Sequence, residues 1–174
     1  MVNQFMPILI TLESEAADIF AVAGLRTANG EKLFLEQYMD FPIEKIVSSK
    51  LSQKSYRNHI AEIGNLASTK QGASRYLFVA LTALLVEWDL TWLAFTGTHQ
   101  VLNVFSRLGL DPLQVCRADP DRLESVSHWG TYYDNNPQVM VGDVLGGFNA
   151  LARYNMFEAV ALSLVEGESN VVSA

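Results

Sequence analysis

The residues best suited by type and spacing to do chemistry lie between His59 and Arg75, in the order His-Ile-Ala-Glu-Ile-Gly-Asn-Leu-Ala-Ser-Thr-Lys-Gln-Gly-Ala-Ser-Arg. The stretch opens apolar, as a buried strand does, passes through small and polar residues, and runs into the longest helix-like pattern of the chain. That layout predicts a strand, a small-residue loop and a helix N-terminus. The unpaired N–H groups and positive dipole end of such a helix favour an anion, so a phosphate can dock there without a dedicated lysine. Gly72 and Ala73 would let a pyrophosphate approach the backbone, and Lys70 and Arg75 could neutralise part of its charge. Small residues also open many ordinary helices after a strand, so the local pattern admits both readings.

Other candidates are scattered. Glu36 stands among apolar neighbours in Leu33-Phe34-Leu35-Glu36-Gln37-Tyr38. It reads either as a half-exposed strand residue or as a buried carboxylate whose raised pKa lets it handle protons. The run from His128 through Trp129, Tyr132 and Tyr133 to Pro137 collects aromatics and turn formers. It is either a packed loop with tyrosines at its rim or a wall of a ligand site that touches substrate through Tyr hydroxyls and His128. His59, His99 and His128 lack ligand spacing, which argues against a metal. Ser68 and Ser106 have no nucleophile-elbow pattern around them. A lone Cys116 excludes an internal disulfide framework and suits a small core side chain in a reducing cytoplasm.

Composition narrows the classes. The net charge is -7, and the 12 Lys and Arg are dispersed, which argues against a nucleic-acid partner. The N-terminus lacks a basic n-region, and no apolar run reaches the roughly eighteen residues of a spanning helix. The expectation is a soluble, cytoplasmic protein without an integral membrane segment. A chain of 174 residues, 49% apolar, fits one domain over 1–174.

The elements that must position these residues follow from periodicity. Strands are predicted at Pro7–Leu12 and Ala17–Thr27 across a polar hairpin turn, and at Leu33–Tyr38 after the Asn29-Gly30 turn. Pro42 suits the first turn of a helix near Ile43–Ser49, and Ser48–Asn58 reads as a mobile connection. A helix of about five turns runs from Gly72 to Trp88, with Leu77, Leu81, Leu84 and Trp88 on one face and almost no polar face, so it should be covered on both sides. Leu90–Thr96 is a buried strand, and Thr98 caps a helix carrying Val101, Leu102, Phe105 and Leu108 that stops at Gly109. Leu113–Cys116 is a strand, Asp119-Pro120-Asp121 opens a short helix, and Gln138–Val144 is a strand. A last helix takes in Phe148, Leu151, Ala152, Ala159, Val160 and Leu164 before a frayed tail from Glu166. Strand, helix, strand, helix, strand implies parallel neighbours with right-handed crossovers, and the leading hairpins make the sheet mixed.

Five strings in order resemble the motifs of the thermostable hemolysin (delta-VPH) family: Gly24-Leu25-Arg26-Thr27-Ala28, Leu33–Tyr38, Glu62-Ile63-Gly64-Asn65-Leu66-Ala67-Ser68, Phe105-Ser106-Arg107-Leu108-Gly109-Leu110 and Trp129-Gly130-Thr131-Tyr132-Tyr133. The likeness covers about 7–144, leaving 145–174 as a C-terminal helix and tail. That family resembles the GNAT acyltransferase fold and, more distantly, the acyl-homoserine lactone synthases. The implied fold class is α/β, a GNAT-like mixed sheet flanked by helices that lacks the usual N-terminal strand and helices. The implied donor is an acyl thioester, on coenzyme A or on acyl carrier protein.

The resemblance assigns Asn65, Ala67, Ser68, Lys70, Gln71, Gly72, Ala73, Ser74 and Arg75 to the donor, with Asn65 where the central strands part to admit the pantetheine arm. It makes Glu62 the general base towards an amine or amino acid. The structural alternative for Glu62 is a bond to a neighbouring strand or to Arg26. Phe105 falls where GNAT enzymes keep a tyrosine acid, so Tyr132 or Tyr133 would stand in as the proton donor to the leaving thiolate. A thiolate leaves readily, so the loss of that tyrosine need not be fatal. Glu36, Arg26, Trp129 and Tyr133 fall on the acceptor side. An acceptor wall left bare would favour a homodimer. Two other outcomes are a regulatory or degenerate thioester binder and, from the family name alone, a membrane-active protein. No segment resembles a cationic amphipathic helix, and haemolysis could follow indirectly from a surfactant acyl product.

Overall fold

The computed structural model describes residues 6–14, 17–30, 32–70, 72–123 and 130–153. The expectations for Gln71, His128, Trp129 and everything after Arg153 fall outside them. Six strands form one sheet: β1 (Ile8–Glu13), β2 (Ile19–Thr27), β3 (Ile60–Ser68), β4 (Trp92–Gly97), β5 (Leu113–Arg117) and β6 (Gln138–Asp143). Four helices accompany them: α1 (Ile43–Leu51), α2 (Ala73–Glu87), α3 (His99–Arg107) and α4 (Val144–Ala152). The spatial order is β1-β2-β3-β4-β6-β5, and β3 with β4 is the one parallel pair among the described residues.

Alternation along the strands divides the core into two layers. Ala21, Ala23, Leu25, Ala61, Ile63, Phe95 and Met140 pack towards α2 with Leu77, Leu81 and Leu85. Each of those leucines, at most 1% exposed, contributes roughly 1.5–3 kcal/mol by leaving water. Val79, on the other side of α2, packs with Leu108 and Leu151, so α2 is covered on both sides as its composition requires. The opposite layer joins Ile60, Trp92, Ala94, Val139 and Val141 to Leu33, Leu35, Tyr38, Ile43, Val47 and Tyr133.

Three expectations change. Leu33–Tyr38 is not a strand: Phe34–Tyr38 form a 3-10 helix, with Glu36 N–H donating to Leu33 O at 3.2 Å and Met39 N–H to Glu36 O at 3.2 Å. Strand β3 already has β2 and β4 as neighbours, so this segment lies across the sheet face and finds its hydrogen bonds elsewhere. The parallel order also fails beyond β4. β6 pairs antiparallel with β4 from Trp92↔Asp143 to Gly97↔Gln138 and separates it from β5. The burial explains why: Val139, Met140 and Val141 are covered on both faces, whereas no residue of β5 is fully buried, and it takes the edge. Finally, Ser48–Asn58 is a tied segment. Helix α1 continues to Leu51, the Ser48 hydroxyl accepts from Ser55 N–H at 2.9 Å, and Arg57 is bonded to Glu36 and Glu44.

Smaller details follow the chemistry of the ends. Asp119 Oδ1 accepts from Asp121 N–H at 3.2 Å, and Gly109 takes φ 70° after α3. Thr98 occupies the N-cap of α3 without a side-chain hydrogen bond, and Pro42 is the N-cap of α1 rather than its first-turn residue.

Candidate active site

β3 and β4 are paired only at Ile60↔Trp92, Ala61↔Leu93 and Glu62↔Ala94. Beyond Glu62, β3 continues to Ser68 against β2 alone, while β4 runs on to Gly97 against β6. A β-bulge between Val22 and Gly24, with Asn65 at φ 51°, turns the end of β3 away. The sheet therefore opens between two neighbouring parallel strands, and α2 begins just past the opening.

Glu62 is the last residue before the strands part and is 3% exposed. Its Oε2 accepts from Phe34 N–H at 2.8 Å and its Oε1 from Leu35 N–H at 2.9 Å, so it caps the start of the 3-10 helix from across the sheet. Burial pushes its pKa up; the Phe34 and Leu35 amides and the charge of Arg26 oppose this without reversing it. A carboxylate has about four acceptor directions, and two are used here. Arg26 is the residue opposite Glu62 on β2, and its buried Nε meets no hydrogen-bond partner among the described residues.

Glu36 is 5% exposed and fully engaged. It accepts from Leu33 N–H at 2.8 Å and Ile43 N–H at 2.9 Å, and the Arg57 guanidinium grips both oxygens at 2.7 and 2.8 Å. Burial alone would raise its pKa; the guanidinium and the two amides outweigh it and hold the carboxyl below its ordinary value. Arg57 also reaches Glu44 at 2.9 Å. Glu36 thus joins the 3-10 helix to the start of α1.

The tyrosines gather on this same layer. The Tyr132 hydroxyl donates to Thr96 Oγ1 at 3.0 Å, near the end of β4, and the Tyr38 and Tyr133 hydroxyls share a hydrogen bond of 2.6 Å. The Tyr132 and Tyr133 rings meet edge to face at 5.3 Å. Burial raises all three pKa values, and the charge of Glu62 adds to the rise at Tyr38. Tyr38, Thr96 and Arg57 were not singled out from the sequence. Their contacts span 95, 36 and 21 positions, which no local pattern encodes.

On the other side of the opening, Ala67, Ser68 and Lys70 are exposed. Gly72 is the N-cap of α2 at φ 84°, with no atom within 4 Å of the place a Cβ would occupy. The Ser74 hydroxyl donates to Ser68 Oγ at 3.2 Å, and Lys70 Nζ lies 3.5 Å from the centre of the Phe20 ring. The Ala73 amide turns back to Lys70 O at 3.2 Å, while Arg75 remains exposed. Phe105 is buried against Phe78 and Phe95, with ring centres 4.9 and 5.2 Å away. Cys116 donates to Tyr38 O at 3.6 Å, and burial raises its pKa. Among the described residues no His, Cys, Asp and Glu cluster could hold a metal ion, and no helix is long and apolar enough to cross a membrane.

Comparison with known proteins agrees with this architecture. No curated protein sequence matches the chain. Among solved structures, MesI, a CoA-dependent acyl-homoserine lactone synthase, superposes with a TM-score of 0.51 at 10% identity over 91% of this chain and 73% of its own. BjaI, another CoA-dependent acyl-homoserine lactone synthase, gives 0.52 at 12% identity over 84% and 64%. FeeM, an N-acyl amino acid synthase from uncultured soil microbes, gives 0.50 at 13% identity over 82% and 75%. At such identities the likeness is one of fold: a mixed sheet with flanking helices, shared with acyl-transferring enzymes. The model of the Thermostable hemolysin family matches residues 1–148, and the chain belongs to that family.

Proposed function

We propose that this protein is an acyltransferase, moving an acyl group from a thioester of coenzyme A or acyl carrier protein to a small amine or amino acid. The observation that carries the reading is the parting of β3 from β4 immediately after a buried glutamate, with a left-handed glycine opening α2 beyond it. The opening suits an extended pantetheine arm. Gly72 with Ser68, Ser74, Lys70 and Arg75 suits the phosphates, and Asn65 and Ala67 line the way between.

In this reading the acceptor nitrogen attacks the thioester carbonyl, the C–N bond forms and the C–S bond breaks. Glu62 takes the proton from nitrogen, and Tyr132 returns one to the thiolate, so amine plus thioester gives amide plus thiol. A carboxylate with a raised pKa is better matched to that proton than an exposed one. Arg26 and Tyr133 face the acceptor, and Glu36 shapes that side through the helix ends it ties together.

The test is release of free thiol from octanoyl-coenzyme A in the presence of a panel of amines and amino acids. Glu62→Gln should abolish turnover while thioester affinity stays nearly unchanged, and full activity in that variant would sink the assignment. A second reading, a thioester binder without catalysis, is favoured by Phe105, which offers no proton in its aromatic cluster. Thioester binding by the unaltered protein with no thiol released towards any acceptor would select it.

A further inference from the structure

Alternation puts Arg26 and Glu62 on the face of the sheet away from α2, and Gly24 and Gly64 share that face, two residues away on each strand. In register, Arg26 stands opposite Glu62 and Gly24 opposite Gly64. The glycine pair therefore makes a floor without side chains immediately beside Glu62, where β3 has already lost β4. Glycine inside a strand weakens it and marks a place where another group comes close to the backbone.

Here that group is Met6. A Cβ built on Gly24 would lie 2.9 Å from Met6 Cβ and 3.1 Å from Met6 Cγ, and one built on Gly64 would lie 2.6 Å from Met6 Cε. The Met6 side chain thus lies across both strands with its methyl end over β3. It is half-buried, and it is not among the hydrophobic residues packed into either layer of the core. Its backbone is nevertheless held, because Ile8 pairs with Leu25 and the intervening Pro7 restricts the residue before it.

We infer that Met6 is a specificity-determining residue, the wall that limits the size of the acyl acceptor. The inference rests on the acyl-transfer reading above and adds to it the class of acceptor, an amine or amino acid with a short substituent. An acceptor nitrogen that gives its proton to Glu62 lies about 3 Å from the carboxylate. Gly64 is two residues further on, about 7 Å along the strand. A substituent directed along β3 therefore has space for roughly one or two carbon atoms before it meets the Met6 methyl group.

The experiment is steady-state thiol release from octanoyl-coenzyme A by the full chain. The acceptors are glycine, alanine, leucine and phenylalanine, and, as a series without the carboxylate, methylamine, ethylamine, butylamine and phenethylamine. In whichever series the protein uses, kcat/KM should be at least tenfold higher for the two smallest members than for the largest. In Met6→Ala the ratio of large to small should rise at least tenfold, through a lower KM for the large acceptors rather than a higher kcat. Met6→Leu, of similar volume, should keep the order of the unaltered protein. Lost packing alone would lower the urea midpoint and leave that order as it was.

An unchanged order in Met6→Ala, or a preference for the large acceptors in the unaltered protein, would overturn the inference and leave the acyl-transfer reading standing. No thiol release towards any acceptor by the unaltered protein would remove the acyl-transfer reading and this inference with it.

Discussion

Two buried glutamates on one layer of the sheet are held in opposite electrostatic states. Burial dominates at Glu62 and raises its pKa; at Glu36 the Arg57 guanidinium and two amides overcome burial and lower it. For Glu36 the folded pKa is depressed, so its stabilisation is present above the ordinary value of 4.5 and is lost as pH falls through the lower folded value. The urea midpoint should therefore fall with acidification in that window, and Glu36→Gln should flatten the slope. Glu62 has the other sign: folding raises its proton affinity, so stability from this group declines as pH rises from 4.5 through its raised folded pKa. If Glu62 is the base of the proposed reaction, turnover should increase over that same window. Arg57→Met leaves Glu36 buried with its two amide donors but without a countercharge. With Glu36 at 4% side-chain exposure and Arg57 at 28%, the expected loss is roughly 3 kcal/mol in urea unfolding, at the low end for a broken buried pair.

Among the elements, the 3-10 helix at Phe34–Tyr38 shows how buried carboxylates replace a strand ladder. Glu62 takes the amides of Phe34 and Leu35, and Glu36 takes those of Leu33 and Ile43. A segment with strand-like apolar residues can then lie across the sheet with its donors satisfied. The start of α2 makes a separate prediction. Gly72→Ala meets no atom within 4 Å, so its cost is backbone strain at φ 84° alone, roughly 1–2 kcal/mol in chemical denaturation. Gly72→Glu adds a negative charge at the proposed phosphate site and should abolish the stabilisation by acyl-coenzyme A expected in thermal melts.

For the molecule as a whole, a donor selective for the folded chain must raise its melting temperature. At a concentration of about 100 Kd the gain is about 2.7 kcal/mol, a shift of roughly 5–10 °C for a protein of this size. A dose-dependent rise of that order with octanoyl-coenzyme A is the expected result, and its absence at saturating donor would remove the coenzyme A arm of the proposal. The sequence by itself determined the helices and strands whose patterns are local: the small-residue entry to α2, its two apolar faces, the Gly109 stop and the Asp119 cap each depend on neighbours within a turn or two. It also indicated a mixed α/β sheet, through hairpins followed by a strand-helix-strand unit. Only the tertiary structure decided that β6 separates β4 from β5, that Leu33–Tyr38 winds into a 3-10 helix, and that Glu36 is bonded to Arg57. Those outcomes depend on which distant strand can be buried on both faces and which distant carboxylate can satisfy a buried amide, and neither condition is written in the spacing of nearby residues.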